Sequence, residues 1–450
     1  MSARLEANPT QSAAREIVAA LVKRARAAQA AYERSSQEHR DEVATACGWA
    51  IMKPENNRAL AELAVRDTGL GNVADKIAKN HRKTLGLLRD LQGVRTVGVI
   101  AEYPQRGVTE IARPVGVVAA ITPSTNPGAT PANQIINALK CGNAVVLAPS
   151  PKGYSTCALL LRYIHEEFTK IKADPDLVQV LPAPVTKEAT HELMRQCDLI
   201  AATGSQSNIR AAYSSGTPAI GVGLGNVVSI VDASADLPAA AAKIALSKTF
   251  DHATSCSSEN SAVILASVYD AMLEALIREG GVLLDAAEKA QLQKLMFPHG
   301  KLAAAATAQP AGQIARLAGI AREAPRAARF LMVAEEGCGP LHPFSGFTLS
   351  VYRRSFWAAR RIVRGPNHCR MAVRRTTVRA EAVPGRWLAF RSSLKATGMI
   401  SRPLTADKRS KEHAKVEARY ISSPRSTKWR IQFCAMGERP SATYRIFISR

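Results

Sequence analysis

From residue 96 onward, short apolar runs alternate with helical stretches, and this alternation narrows the fold more than any other feature of the chain. TVGVIAEY and VTEIARP read as short strands. GVVAAITPSTNP reads as a strand running into a loop, and PANQIINALKCG as a helix closed by a glycine cap. NAVVLAPSPKG is a buried strand with its loop, and STCALLLRYIHEEF a helix. LVQVLPA, DLIAATG and NVVSIVD are further strands, with THELMRQC and SNIRAAYSSG as helices between them. Runs without polar alternation belong in a parallel sheet covered by helices on both faces. The spacing predicts an α/β fold with a Rossmann-like sheet of about five strands. Ahead of it, residues 11–46 read as one long amphipathic helix striped by Ile17, Leu21, Val22 and Ala25. A second helix covers 56–65 and a third 73–90, the latter with Ile77, Leu85, Leu87 and Leu88 as its apolar side. These helices are expected to layer on a sheet and to carry no chemistry.

A chain of 450 residues, 46% hydrophobic and 22% charged, fits a soluble globular protein of two or three domains. Arg and Lys at helical spacing interrupt the opening residues, so a secretory leader is not expected. No run is apolar for long enough to span a membrane. The eight cysteines form no CxxC pair, which points to a reducing, cytoplasmic compartment and away from structural zinc.

The formal net charge of +23 suggests a nucleic-acid binder until it is located. Residues 1–340 carry 36 Lys and Arg against 32 Asp and Glu, whereas residues 341–450 carry 24 against 5. Three of the four Trp and six of the ten Phe lie in that second part. Three readings of it stay open: a nucleic-acid or acidic-surface module, an ordinary basic subdomain, or the product of a reading-frame change. Helix-turn-helix, zinc and RNA-binding signatures are missing from it, and runs such as Arg374-Arg375-Thr376-Thr377 keep no clean period. A nucleic-acid partner is therefore not expected.

Open α/β sheets bind ligands beyond the carboxyl ends of their strands. Three loops qualify: Thr122-Pro123-Ser124-Thr125-Asn126-Pro127, Ser150-Pro151-Lys152-Gly153, and Thr203-Gly204-Ser205-Gln206-Ser207. The last reads as a phosphate-holding turn, with Gly204 admitting a close backbone approach and Ser205 at a helix start, or as a plain strand-to-helix connection. Gly221-Val222-Gly223-Leu224-Gly225-Asn226 precedes a strand instead of opening a helix, so it is not a dinucleotide fingerprint. In Lys248–Asn260, Cys256 sits in a small, polar loop ahead of SAVILA. A thiol so placed is a nucleophile if local donors favour its thiolate, or else a small hydrophobe. His252 is a candidate acid or base. Cys141, Cys157 and Cys197 read as structural.

Taken together, ITPSTNP, AIGVGLGN and SKTFDHATSCSSEN resemble the aldehyde dehydrogenase superfamily, and within it the CoA-acylating branch. RDTGLGNVADKIAKNHRKTLGLLRDL and GVIAEYPQRGVTEIARPVGVVAAITPSTNP are most similar to acylating sulfoacetaldehyde dehydrogenases. The likeness covers residues 10–346. It implies N-terminal helices with a Rossmann-like cofactor-binding domain over 1–225, an α/β catalytic domain over 226–346, and a basic, atypical tail over 347–450. It implies Cys256 as the nucleophile, with Asn126 and the backbone N–H of Cys256 as donors to the oxyanion. It implies NAD or NADP held near Thr122, Pro123, Ser150, Lys152, Thr203, Gly204, Ser205 and Gly223. Ala148 stands where hydrolytic members place a lysine, so Lys152 is either a contact favouring a 2′-phosphate or a surface lysine. Val222 stands where they keep a glutamate general base, so the implied acyl acceptor is coenzyme A and not water. The implied partners are a small aldehyde and coenzyme A, in a homodimer or homotetramer.

The likeness breaks after EEGCGPLHPFSG. Where the family has Glu-Lys-Leu-Ser-Pro, this chain has Phe347-Thr348-Leu349-Ser350-Val351. The alternatives left open are a hydrolytic aldehyde dehydrogenase and an inactive truncated or frameshifted paralogue.

Overall fold

The computed structural model describes residues 9–223, 225, 227–337, 341–346, 349–354, 430–435 and 444–449. By its internal contacts the chain divides into Met1–Leu224 and Gly225–Arg450.

The helical opening breaks where the sequence pattern predicts continuity. α1 (Pro9–Tyr32) ends before a turn, and α2 (Gln37–Met52) restarts at Ser36, whose hydroxyl accepts from the His39 N–H at 3.3 Å. A serine there satisfies an amide that a new helix otherwise leaves open. Arg40 fixes the turn. It is fully buried and donates to Glu33 O at 2.7 Å, Thr96 O at 3.1 Å and Ser35 Oγ at 3.2 Å. α3 (Pro54–Thr68) starts on proline and ends at left-handed Gly69, and α4 (Val73–Leu91) starts at Asn72, which caps the Asp75 N–H. The apolar side expected of α4 holds at Leu87 and Leu88, which pack against the core, but not at Leu85, and polar residues are buried with them. Lys76, Lys79, Asn80 and Thr84 are buried, while Leu85 is 50% exposed.

β1 (Gly98–Tyr103) and β2 (Val108–Ala112) pair antiparallel as a separate, mostly exposed ribbon. The main sheet of this unit follows: β3 (Val117–Thr122), α5 (Ala129–Lys140), β4 (Ala144–Pro149), α6 (Tyr154–Ile171), β5 (Val178–Val180), α7 (Lys187–Gln196), β6 (Leu199–Thr203), α8 (Gln206–Tyr213) and β7 (Ala219–Val222). All its pairings are parallel, in the order β5-β4-β3-β6-β7. The chain winds outward from β3 to β5, then returns to build on the other side of β3. That reversal is the switch point where open sheets receive ligands. Every residue of β3 and β4 is buried. The fifth strand is not the one the pattern predicts. NVVSIVD lies in the other sheet, and β7 takes the edge. With alternate residues turned outward and Gly221 within it, β7 lacks the apolar run that marks a central strand.

The second unit holds β8 (Val227–Val231), α9 (Leu237–Thr249), β9 (Glu259–Leu265), α10 (Tyr269–Arg278), β10 (Gly281–Leu283), α11 (Ala286–Met296), α12 (Ala311–Leu317), α13 (Glu323–Ala327), β11 (Phe330–Ala334) and β12 (Leu349–Arg354). Its parallel sheet runs β10-β11-β12-β9-β8. β11 separates two cores. Phe330 and Met332 join Ile244, Ile264 and Met272, while Leu331 and Val333 join Leu292, Ile320 and Phe344. Leu349–Arg354, which the sequence pattern leaves in the atypical tail, thus forms the middle strand of this sheet. β13 (Arg430–Ala435) and β14 (Tyr444–Ser449) pair antiparallel. Most of the basic tail, and the readings that rest on it, lie outside the described residues. Among the described residues no helix is long and apolar enough to cross a membrane.

Replacing Arg40 with Met should leave the carbonyls of Glu33 and Thr96 without their donor. We expect a loss of about 3 kcal/mol, since each orphaned buried polar group costs about 1–3 kcal/mol. Urea unfolding followed by circular dichroism measures it.

Candidate active site

The carboxyl ends of β3, β4, β6 and β7 form one edge. Thr122 pairs with Pro149, Ile121 with Ala202, and Thr203 with Val222. The Ser150 N–H donates to Thr122 O at 3.0 Å. Thr122 Oγ1 and Ser150 Oγ are buried with no hydrogen-bond partner among the described residues. Two unsatisfied hydroxyls at adjacent strand ends are groups that an incoming polar ligand can satisfy. Gly153 keeps the two loops close, because a Cβ there would lie 3.0 Å from Pro127 Cβ and 3.2 Å from Ser150 Oγ. Pro123 is half-buried and Lys152 exposed in these loops. The strand ends thus offer an incoming polar ligand both polar groups and close backbone approach.

The third loop is partly committed. Ser205 caps α8 by accepting from Asn208 N–H at 3.3 Å, and its hydroxyl shares a hydrogen bond with Ser207 Oγ at 2.8 Å. The Gly204 N–H donates to Val222 O at 3.2 Å. Gly223 lies against Gln206, whose Oε1 would be 3.0 Å from a Cβ there. Gln134 reaches this loop from α5, donating to Ala201 O at 3.1 Å. Val222, 50% exposed at the end of β7, presents no group that could take a proton.

Asn126 is half-buried in the loop after β3. Its Oδ1 accepts from Lys79 Nζ at 2.9 Å, and the neighbouring Thr125 O accepts from Lys76 Nζ at 3.3 Å. Neither lysine stands out in the sequence as a site residue; their only signal is the polar set at 76, 79 and 80, a spacing that shares one helix face.

In the second unit, Cys256 follows a strained turn. Asp251, His252 and Ala253 have φ of 49°, 47° and 61°, a region costly for residues with a Cβ. Asp251 is fully buried, and its carbonyl accepts from Thr254 N–H at 3.1 Å. Ser258 Oγ donates to Ser247 O at 3.1 Å, and Asn260 Nδ2 to Gly225 O at 3.2 Å. A Cβ on Gly225 would lie 2.8 Å from Cys256 O, so only glycine fits beside the cysteine's backbone. Cys256 is exposed. Burial pushes the thiols of Cys47 and Cys141 up, that of Cys157 up to about 12 and that of Cys197 up to about 11. Cys256 is thus exposed where Cys47, Cys157 and Cys197 are buried and Cys141 is half-buried.

One α/β unit carries a switch-point sheet edge, and the other carries an exposed thiol loop. The profile of the aldehyde dehydrogenase family matches residues 6–289, and the chain belongs to that family. It is 62% identical over 362 residues to an acylating sulfoacetaldehyde dehydrogenase of Cupriavidus necator, covering 80% of this chain and 73% of that one. An acetylating aldehyde dehydrogenase from Geobacillus thermoglucosidasius superposes with a TM-score of 0.74 at 32% identity, over 79% of both chains. A Rhodopseudomonas palustris propionaldehyde dehydrogenase with bound CoA and an acylated cysteine superposes with a TM-score of 0.65 at 25% identity, over 75% of this chain and 77% of that one.

Limited iodoacetamide should label Cys256 in the folded protein and spare Cys47 and Cys157 until unfolding; peptide mass mapping reads the order. A second prediction concerns Lys248, at the end of α9. Burial pushes its ammonium down to about 8, against an upward pull from Glu259. Between that value and the ordinary 10.5, the unfolded chain holds more protons at this group than the folded one, so its contribution to stability rises with pH. Lys248→Met should therefore be more stable than wild type below pH 8, with the margin shrinking as the pH approaches 10.5. Urea melts across this range give the difference.

Proposed function

We propose that the chain is a CoA-acylating aldehyde dehydrogenase. It converts a small aldehyde, coenzyme A and NAD(P)+ into an acyl-CoA, NAD(P)H and a proton, with sulfoacetaldehyde as the aldehyde. Membership of the family and the kinship with acylating enzymes support the class of reaction. The observation that carries the acylating reading is Val222. Activation of water needs a general base, and valine cannot act as one. A thiol with an ordinary pKa of about 8.5 supplies its own thiolate near neutral pH.

Cys256 Sγ adds to the aldehyde carbon, and the carbonyl electron pair moves onto oxygen. Asn126 Nδ2 and the Cys256 N–H donate to that oxyanion. A bound nicotinamide dinucleotide would supply the hydride acceptor, and Cys256 would then carry the acyl group as a thioester. The CoA thiolate then forms a new C–S bond to the acyl carbon. The bond to Cys256 breaks, and its electron pair returns to Sγ. One thioester replaces another, so the step runs in either direction. Thr122, Pro123, Ser150, Lys152, Thr203, Gly204, Ser205 and Gly223 are the residues assigned to the dinucleotide, and the orphaned hydroxyls of Thr122 and Ser150 support that assignment. Residues 1–225 form the cofactor-binding part in this reading and 226–346 the catalytic part, and the division of the contacts after Leu224 supports it.

A homodimer or homotetramer accompanies the reading. Apolar Ile100, Val108 and Ile111, exposed on the β1–β2 ribbon, support it. Free thiols at Cys47, Cys141, Cys157, Cys197 and Cys256 support a cytoplasmic setting.

The test is NAD(P)H formation by the purified full chain with sulfoacetaldehyde and other small aldehydes, with and without coenzyme A. Turnover should require coenzyme A and vanish in Cys256→Ala. Asn126→Ala should lower kcat about 10²–10³-fold, the range for loss of one oxyanion donor. Acid formation independent of coenzyme A would overturn the acylating reading.

A further inference from the structure

We infer that Lys79 is a positioning residue for Asn126. It holds the amide oxygen so that the side chain presents its N–H end, which also donates to Thr125 Oγ1 at 3.4 Å, as the donor. This rests on Asn126 being the oxyanion donor. The two ends of an asparagine amide are alike in shape and opposite in hydrogen bonding, and an ammonium can only donate. With Lys79 Nζ 2.9 Å from Asn126 Oδ1, a flip of the amide would set donor against donor. A charged donor on the oxygen also draws electron density from the amide and strengthens its N–H.

The lysine is itself held. It is 3% exposed on α4, as is Lys76, which donates to the preceding carbonyl of Thr125. Asn80, one residue on, donates through Nδ2 to Asn57 Oδ1 at 3.0 Å, and Asn57 Nδ2 donates back to Ile77 O at 3.0 Å. Asn80 Oδ1 would be 3.4 Å from a Cβ on Gly128, two residues past Asn126. Side chains at 76, 79 and 80 thus brace the loop over Thr125–Gly128 from one face of α4. A residue that only filled space there would not place a donor on the one atom that decides how the amide points.

The test is a double-mutant cycle on the full-length protein with Lys79→Met, Asn126→Ala and the pair. It is read by kcat, aldehyde KM and the single-turnover NADH burst, with Lys79→Arg as the conservative variant. Lys79→Met should lower kcat and the burst rate about tenfold or more, short of the loss in Asn126→Ala, with little change in KM. Lys79→Arg should recover part of the rate. In the Asn126→Ala background Lys79→Met should cost nothing further, because the group it positions is gone. Losses that multiply in the double mutant while Asn126→Ala alone is impaired would overturn the positioning role and leave Asn126 as the donor. An undiminished burst in Asn126→Ala would instead remove the underlying reading, and this inference with it. Should Lys79→Met not fold, the same cycle run with Lys79→Gln, smaller and uncharged, decides between these outcomes.

Discussion

All six residues of β3 and all six of β4 are buried, so neither strand can offer a side chain to a ligand along its length. Burial on both faces is what a parallel sheet under helices requires, and it pushes the chemistry of this unit to the strand ends. Register then decides which residues share that edge. Because Thr122 pairs with Pro149 and Thr203 with Val222, the hydroxyls of Thr122 and Ser150, the Thr203 loop and the inert Val222 are neighbours along one line. A slip of one residue in any pairing would exchange these side chains for apolar ones. The core and the site are therefore a single constraint in this unit, the first setting where the second can be.

The apolar runs of β3, β4 and β6 were legible in the sequence because burial leaves no polar residue among them. β7 was not, since an edge strand needs one covered face only, and Ile220, 63% exposed, carries no inward signal. The break between α1 and α2 was equally hidden. Glu33-Arg34-Ser35-Ser36 keeps helical polarity, and what ends the helix is a buried arginine collecting the carbonyls of Glu33 and Thr96 from distant stretches of chain. On α4 the hydrophobic pattern was right in part: Leu87 and Leu88 pack against the core, whereas Leu85 is exposed. Lysine and asparagine are buried beside them because that stretch of the helix meets the polar loop of Asn126. Local pattern reports burial against apolar neighbours, and it fails where one polar element is buried against another.

The cysteine loop was legible as texture but not as geometry. Small polar residues around Cys256 suggested a site, whereas three successive left-handed residues, none of them glycine, could not be read from Asp251-His252-Ala253. Such backbone persists only where its surroundings hold it. Here the buried Asp251, the Ser258 bond to Ser247 and the Asn260 bond to Gly225 do so. The loop leaves Cys256 exposed, whereas Cys47 and Cys157 are buried among helices, and burial raises their thiols. Gly225 belongs to the same device. The glycine-rich run that contains it is no dinucleotide fingerprint, and at this position the absence of a side chain lets the chain pass the Cys256 carbonyl.

The departure of the sequence at Phe347 falls at a sensitive place for the same reason. β12 is not an edge strand. It lies between β11 and β9, and its residues pair with both: Leu349 with Met332, Ser350 with Ser261 and Val351 with Ala262. Those backbone bonds depend little on side-chain identity. Leu-Ser-Val-Tyr suits a strand well enough to meet them, even though the family's residues are missing. β9 begins at Glu259, directly after the cysteine loop, so a partner strand beside it restrains the end of that loop. Loss of an edge strand removes one pairing only, whereas loss of β12 would sever β10 and β11 from β9 and leave β9, the strand that follows the Cys256 loop, paired on the β8 side alone. The demand placed on residues 349–354 is thus mainly one of backbone, and a chain whose sequence has left its family's pattern can still satisfy it.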